Sequence, residues 1–164
     1  NINYPVMRSK DNPNYYLNHN FNKEYSRFGV PYMQEYCDMQ SDNIVIYGHN
    51  MQNKSMFNEL TSYKSKHFYE KHKIIVIDTT LEHREYEVIA VFKTVAYESN
   101  SFEYYNFVNA STEDDYRAYI EKCKALSLYD TGIDAKYGDK LITLSTCEYS
   151  QDNGRFVVVA KLVD

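Results

Sequence analysis

Cys147 ends the run KLITLSTC over 140–147, and Arg155 begins the run RFVVVAKLV over 155–163. Both runs have the apolar, β-branched character of strands, and the polar segment between them carries Asn153-Gly154, a hairpin signal. Side chains alternate along a strand, so Leu141, Thr143, Ser145 and Cys147 share one face while Ile142, Leu144 and Thr146 take the other. Pairing the two runs as a hairpin brings Arg155 opposite or nearly opposite Cys147. A thiol beside a guanidinium suits acyl transfer: sulfur is the nucleophile, and fixed N–H groups receive the charge on the tetrahedral intermediate's oxygen. His49 would complete the set by giving a proton to the leaving amine. It follows NIVIYG over 43–48, a compact β-branched run that delivers it at a strand-to-loop junction. Spacing alone does not carry His49 to the other two.

Each of these residues also has an ordinary structural reading. A cysteine at a strand end is usually a small buried hydrophobe, a histidine after a strand usually packs, and an arginine near a hairpin is usually solvated. The other two cysteines, Cys37 and Cys123, read as packing residues, Cys123 on the apolar face of a helix. Three cysteines cannot all pair within the chain, and no CxxC spacing occurs, so neither a disulfide framework nor a zinc site is indicated. His67 and His72 lack an HExxH pattern, and the acidic run Glu113-Asp114-Asp115 is explained by helix-start preference. No metal and no cofactor are expected.

Several elements must position this chemistry. The first forty residues, with Asn12-Pro13-Asn14, Gly29 and Pro31, read as short strands joined by turns. Over 54–72, apolar residues recur at near-helical intervals without Pro or Gly, which predicts one or two short helices. The runs 73–78 and 85–97 read as strands. Thr112 or Ser111 can cap a helix whose face is Tyr116, Tyr119, Ile120, Cys123 and Leu126. Strands outnumber helices, and no βαβ alternation or internal repeat occurs, so a mostly antiparallel barrel with peripheral helices fits best.

The chain of 164 residues is read as a single domain over 1–164. A net charge of −5 with no stripe of Lys and Arg argues against a nucleic-acid partner. No apolar stretch approaches the ~20 residues of a membrane helix. A start at Asn1 rather than Met points to a processed or trimmed form whose targeting or anchoring segment lies upstream.

Taken together, Tyr47-Gly48-His49-Asn50, then Met56-Phe57, then Thr143-Leu144-Ser145-Thr146-Cys147, then Arg155 ahead of Val157-Val158-Val159-Ala160-Lys161-Leu162 resemble the sortases in order and separation. The resemblance runs from about Tyr4 to the C-terminus, and the helix over 112–128 looks like the class B subgroup. It implies a sortase-like closed antiparallel or mixed β-barrel with a helix between the late strands. It implies a cysteine transpeptidase with Cys147 as nucleophile, His49 as general acid and Arg155 as stabiliser of the intermediate. Ser145, Thr146 and Glu148 would lie beside the bound peptide, and 98–109 with the following helix would form one wall of its groove. The implied partners are a Pro-x-Thr-type sorting signal of a secreted protein and a peptidoglycan precursor amine. The implied place is the extracytoplasmic face of a Gram-positive cell membrane, reached through an N-terminal anchor. Two rivals are a papain-like cell-wall hydrolase and a non-catalytic β-barrel binding module. In the first, the cysteine precedes the histidine and sits at a helix N-terminus, the reverse of the order here.

Overall fold

A computed structural model describes residues 2–163. Six strands, β1 (Tyr32–Met33), β2 (Asn43–Tyr47), β3 (Ile74–Asp78), β4 (His83–Val95), β5 (Leu141–Cys147) and β6 (Gly154–Val163), form one sheet in the order β1-β2-β5-β6-β4-β3. Every neighbouring pair is antiparallel except β2 and β5, which run parallel from Asn43↔Leu141 to Tyr47↔Ser145. The expected hairpin forms, with Cys147 paired to Arg155.

The expectation of a closed barrel is corrected. The sheet curls only into a half-barrel, and among the described residues its edge strands β1 and β3 do not pair. Between those edges lies a cavity of about 680 Å³, lined on one side by Val6 and Met33 and on the other by Ile75 and Ile77. The curl has a local cause in β4, where the register with β6 shifts between Val88 and Ala90. The extra residue rephases the alternation: Tyr86, Val88 and Val91 join the cluster on the concave face, whereas Ile89, Ala90 and Phe92 join the one on the convex face.

Both faces of the central strands are therefore buried, which is why β6 carries the unbroken apolar run Phe156–Ala160 and why even Thr143, Ser145 and Thr146 of β5 are buried. On the concave side, a 3-10 helix (Asn58–Lys64) and α1 (Lys66–Lys71) pack Leu60, Tyr63 and Tyr69 against Ile44, Ile142 and Phe156. On the convex side lies α2 (Glu113–Leu126), whose Tyr116, Tyr119, Ile120 and Cys123 are buried. Burial of Ile120 alone contributes about 1.5–3 kcal/mol. Thr112 caps α2, its Oγ1 accepting from the Asp115 N–H at 3.1 Å, and three acidic residues occupy the positive end of the helix dipole. The first forty residues hold less strand than expected: β1 spans only Tyr32–Met33, and Tyr15–Leu17 is a 3-10 turn.

Candidate active site

Cys147 lies at the end of β5 between two strands of opposite direction. On one side, the antiparallel ladder pairs it with Arg155. On the other, β2 ends at Tyr47↔Ser145, and the same parallel offset carried two residues further aligns His49 with Cys147. Bonds beyond the strand end maintain that alignment. The Gly48 N–H donates to the Ser145 carbonyl at 3.1 Å, the Thr146 hydroxyl to the Gly48 carbonyl at 2.6 Å, and the Asn50 amide to the Cys147 carbonyl at 2.9 Å. The parallel pairing thus supplies what the spacing of His49 could not.

Two glycines make these approaches possible. A Cβ on Gly48 would lie 2.5 Å from the Phe57 ring, and Phe57 N in turn donates to the His49 carbonyl at 2.8 Å. A Cβ on Gly154 would collide with the Glu148 carbonyl oxygen. With hydrogen there instead, Glu148 N donates to the Gly154 carbonyl at 2.9 Å, closing the turn that aims Arg155 back at Cys147.

Cys147, His49 and Arg155 are each partly exposed, so reagents and peptides can reach them. The His49 Nε2 lies 2.7 Å from the Leu17 carbonyl, which orients the ring and leaves Nδ1 as the uncommitted nitrogen. Arg155 Nη1 donates to the Gly154 carbonyl at 3.0 Å, and the guanidinium carbon stands 5.8 Å from the centre of the Tyr97 ring. Cys37 and Cys123 are fully buried, and burial pushes both thiols up, Cys123 to about 12. They are inert packing groups beside the accessible Cys147.

The three further residues expected beside a peptide are engaged within the protein. The Ser145 hydroxyl lies 2.6 Å from that of Tyr104, whose phenol burial pushes up to about 12. Thr146 is tied to Gly48, as above, on the opposite face from Cys147. The Glu148 carboxylate accepts from Lys64 at 3.1 Å, from Lys93 at 3.0 Å, and from both the N–H and the hydroxyl of Ser150. These donors, Ser150 first and the lysines after it, hold the carboxyl down at about 2.

Sequence reading missed Asn50, Tyr97 and Tyr104 as neighbours of the site. Asn50 was legible as the residue after His49. Tyr97 follows β4 and is marked by nothing local; Tyr104 falls in the 98–109 segment expected as a groove wall, where no signal singles it out. Among the described residues, no cluster of His, Cys, Asp and Glu could hold a metal ion, and the large cavity opens on the face that carries Ile46 and Leu144, away from Cys147. What the arrangement can do is hold a nucleophile between a proton carrier and a cation.

Comparison with known proteins identifies the family. The Sortase domain family matches residues 1–163. Sortase B of Listeria monocytogenes is 36% identical over 99% of this chain, and sortase B of Staphylococcus aureus 32% identical over 99%. The chain spans 65% and 66% of the length of those two curated relatives. Among solved structures, the Staphylococcus aureus sortase B–substrate complex superposes with a TM-score of 0.87 at 32% identity, covering 98% of this chain and 74% of that one. The chain belongs to the sortase family, and within it to the class B type.

Proposed function

We propose that this chain is a single catalytic domain of a cysteine transpeptidase that moves a protein from its sorting peptide to a cell-wall amine. The observation that carries the reading is the double register of β5, parallel toward His49 and antiparallel toward Arg155, with Cys147 between them. In this mechanism Cys147 Sγ attacks the carbonyl of the Thr in a Pro-x-Thr-type signal and passes its proton to His49. Arg155 N–H groups hold the oxyanion. Collapse breaks the peptide bond, His49 gives its proton to the departing amine, and a thioester to the target protein remains. A peptidoglycan precursor amine then attacks the thioester, His49 takes that amine's proton and passes it to the departing Cys147 sulfur, and a new amide forms as the thiol is restored.

Two relatives support the choice of partners: one sortase B structure is a substrate complex, and another is a complex with triglycine, whose terminal amine is of the acceptor class proposed here. Ser145, Thr146 and Glu148 form the frame beside the peptide, and 98–109 forms a wall of its groove. Relatives from Listeria and Staphylococcus favour the outer face of a Gram-positive membrane as the working place; no helix among the described residues is long and apolar enough to cross one.

The test is incubation with a panel of sorting-type peptides, with and without triglycine, with products identified by mass. Cleavage after Thr and transfer to the amine is expected, and it should vanish in Cys147→Ala and fall by ~100-fold or more in His49→Ala and Arg155→Ala. A folded wild-type protein that cleaves no peptide of the panel would refute the reading.

A further inference from the structure

Tyr97, which follows β4, stands beside Arg155 in an unfavourable backbone conformation. Its φ is 66°, a left-handed conformation that bulky side chains rarely adopt, and its side chain is 75% exposed rather than packed into the core. Neither backbone comfort nor burial explains a tyrosine there. Strain of this kind persists where the side chain is needed.

The need is visible across the sheet. Thr94 of β4 pairs with Arg155, Val95 with Gly154, and Ala96 N donates to the Asn153 carbonyl at 3.0 Å. The chain then turns at Tyr97, bringing its ring within 5.8 Å of the Arg155 guanidinium and 6.3 Å of the Tyr105 ring. Among the described residues no carboxylate pairs with Arg155; its one protein hydrogen bond is to the Gly154 carbonyl. A carboxylate would hold the guanidinium but cancel the charge that an oxyanion must meet. An aromatic face holds it and leaves both the charge and the remaining N–H edges free.

We propose that Tyr97 is a positioning residue for the transfer reaction, its ring serving as the plate that fixes Arg155 while leaving the guanidinium charge available to the oxyanion. This rests on the role given to Arg155 above. It predicts that the benefit lies in the transition state, where the oxyanion exists, and therefore in kcat rather than KM.

The experiment compares Tyr97→Phe, Tyr97→Leu and Tyr97→Asn. Phe keeps the aromatic face, Leu keeps bulk without it, and Asn removes the ring while tolerating the left-handed backbone. Phe should stay within about twofold of wild type, whereas Leu and Asn should lose about 3- to 10-fold in kcat with KM nearly unchanged. Asn should melt at or above the wild-type temperature, so that its slowness cannot come from unfolding. Wild-type kcat in Leu and Asn, or equal losses in Phe and Asn, would overturn the proposal. A second readout needs no turnover: the Arg155 Nε–H resonance, assigned by its loss in Arg155→Lys, should be ring-shifted in wild type and Phe and move in Asn. If wild type cleaves no peptide, the transpeptidase reading fails by itself. An Arg155 signal unchanged in Asn would then, or in any case, overturn the contact.

Discussion

Replacing Glu148 by Gln should weaken the fold in a way that depends on pH. The carboxylate is only 6% exposed, and it joins three segments: Lys64 from the 3-10 helix that follows the His49 loop, Lys93 from β4, and Ser150 from the turn between β5 and β6. Its pKa of about 2, against an ordinary 4.5, corresponds to roughly 3 kcal/mol of stabilisation at neutral pH. Lys64 and Lys93 are 44% and 35% exposed, so water screens both pairs, and about 1–2 kcal/mol is the expected share. Folding lowers this carboxyl's pKa, so the stabilisation is complete above about 4.5 and is lost as the pH falls through about 2. Urea unfolding of wild type and Glu148→Gln at pH 7, 5 and 3 measures the gap. It should be about 1–2 kcal/mol at the two higher values and clearly smaller at pH 3. Equal stability at pH 7, or a gap that does not narrow at pH 3, would refute the charge argument.

Three other substitutions or treatments probe different parts of the frame. Gly48→Ala forces a methyl group to within 2.5 Å of the Phe57 ring beside His49, so peptide turnover should fall at least ~10-fold, with a stability loss of about 1–3 kcal/mol seen in urea. Thr143→Val breaks the buried network in which the Thr143 hydroxyl donates to Asn43 Oδ1 at 2.8 Å and lies 3.2 Å from that of Tyr119; a loss of about 1–3 kcal/mol is expected by the same measurement. Maleimide labelling read by mass should add one group to the native protein, at Cys147, and three after denaturation, because Cys37 and Cys123 have no exposed surface. Native labelling at either buried cysteine would contradict that packing.

Local signals carried some elements a long way. Alternation and Asn153-Gly154 placed Cys147 opposite Arg155, and the Thr112 cap with its acidic first turn placed α2 within a residue of its observed start. Both depend on neighbours in the chain, where period and capping are decisive. The closed barrel failed because closure is a relation between β1 and β3, strands at opposite edges of the sheet, and no pattern in either strand encodes the gap between them. The bulge at Val88/Ala90 was equally hidden: in a run of Val, Ile, Ala and Val, buried on both faces, one extra residue leaves no trace in the hydrophobic pattern.

The parallel pairing of β2 with β5 explains why Arg155 is legible beside Cys147 in the sequence and His49 is not. In an antiparallel hairpin the partner of a residue follows from the turn, so Arg155 could be found from Cys147 across a few residues. A parallel partner is reached only through a crossover, here the whole span from β2 to β5 with two further strands and α2 inside it. The alignment of His49 with Cys147 is therefore set by how the central sheet packs on both faces, not by any local turn. This has a mechanical consequence. Damage to the β5–β6 turn should disturb Arg155 more than His49, which that turn reaches only through the Tyr149 hydroxyl on the Asn50 carbonyl and the Glu148–Lys64 pair, whereas damage between Gly48 and Phe57 should do the reverse, because the nucleophile's two partners hang from ladders that share only β5.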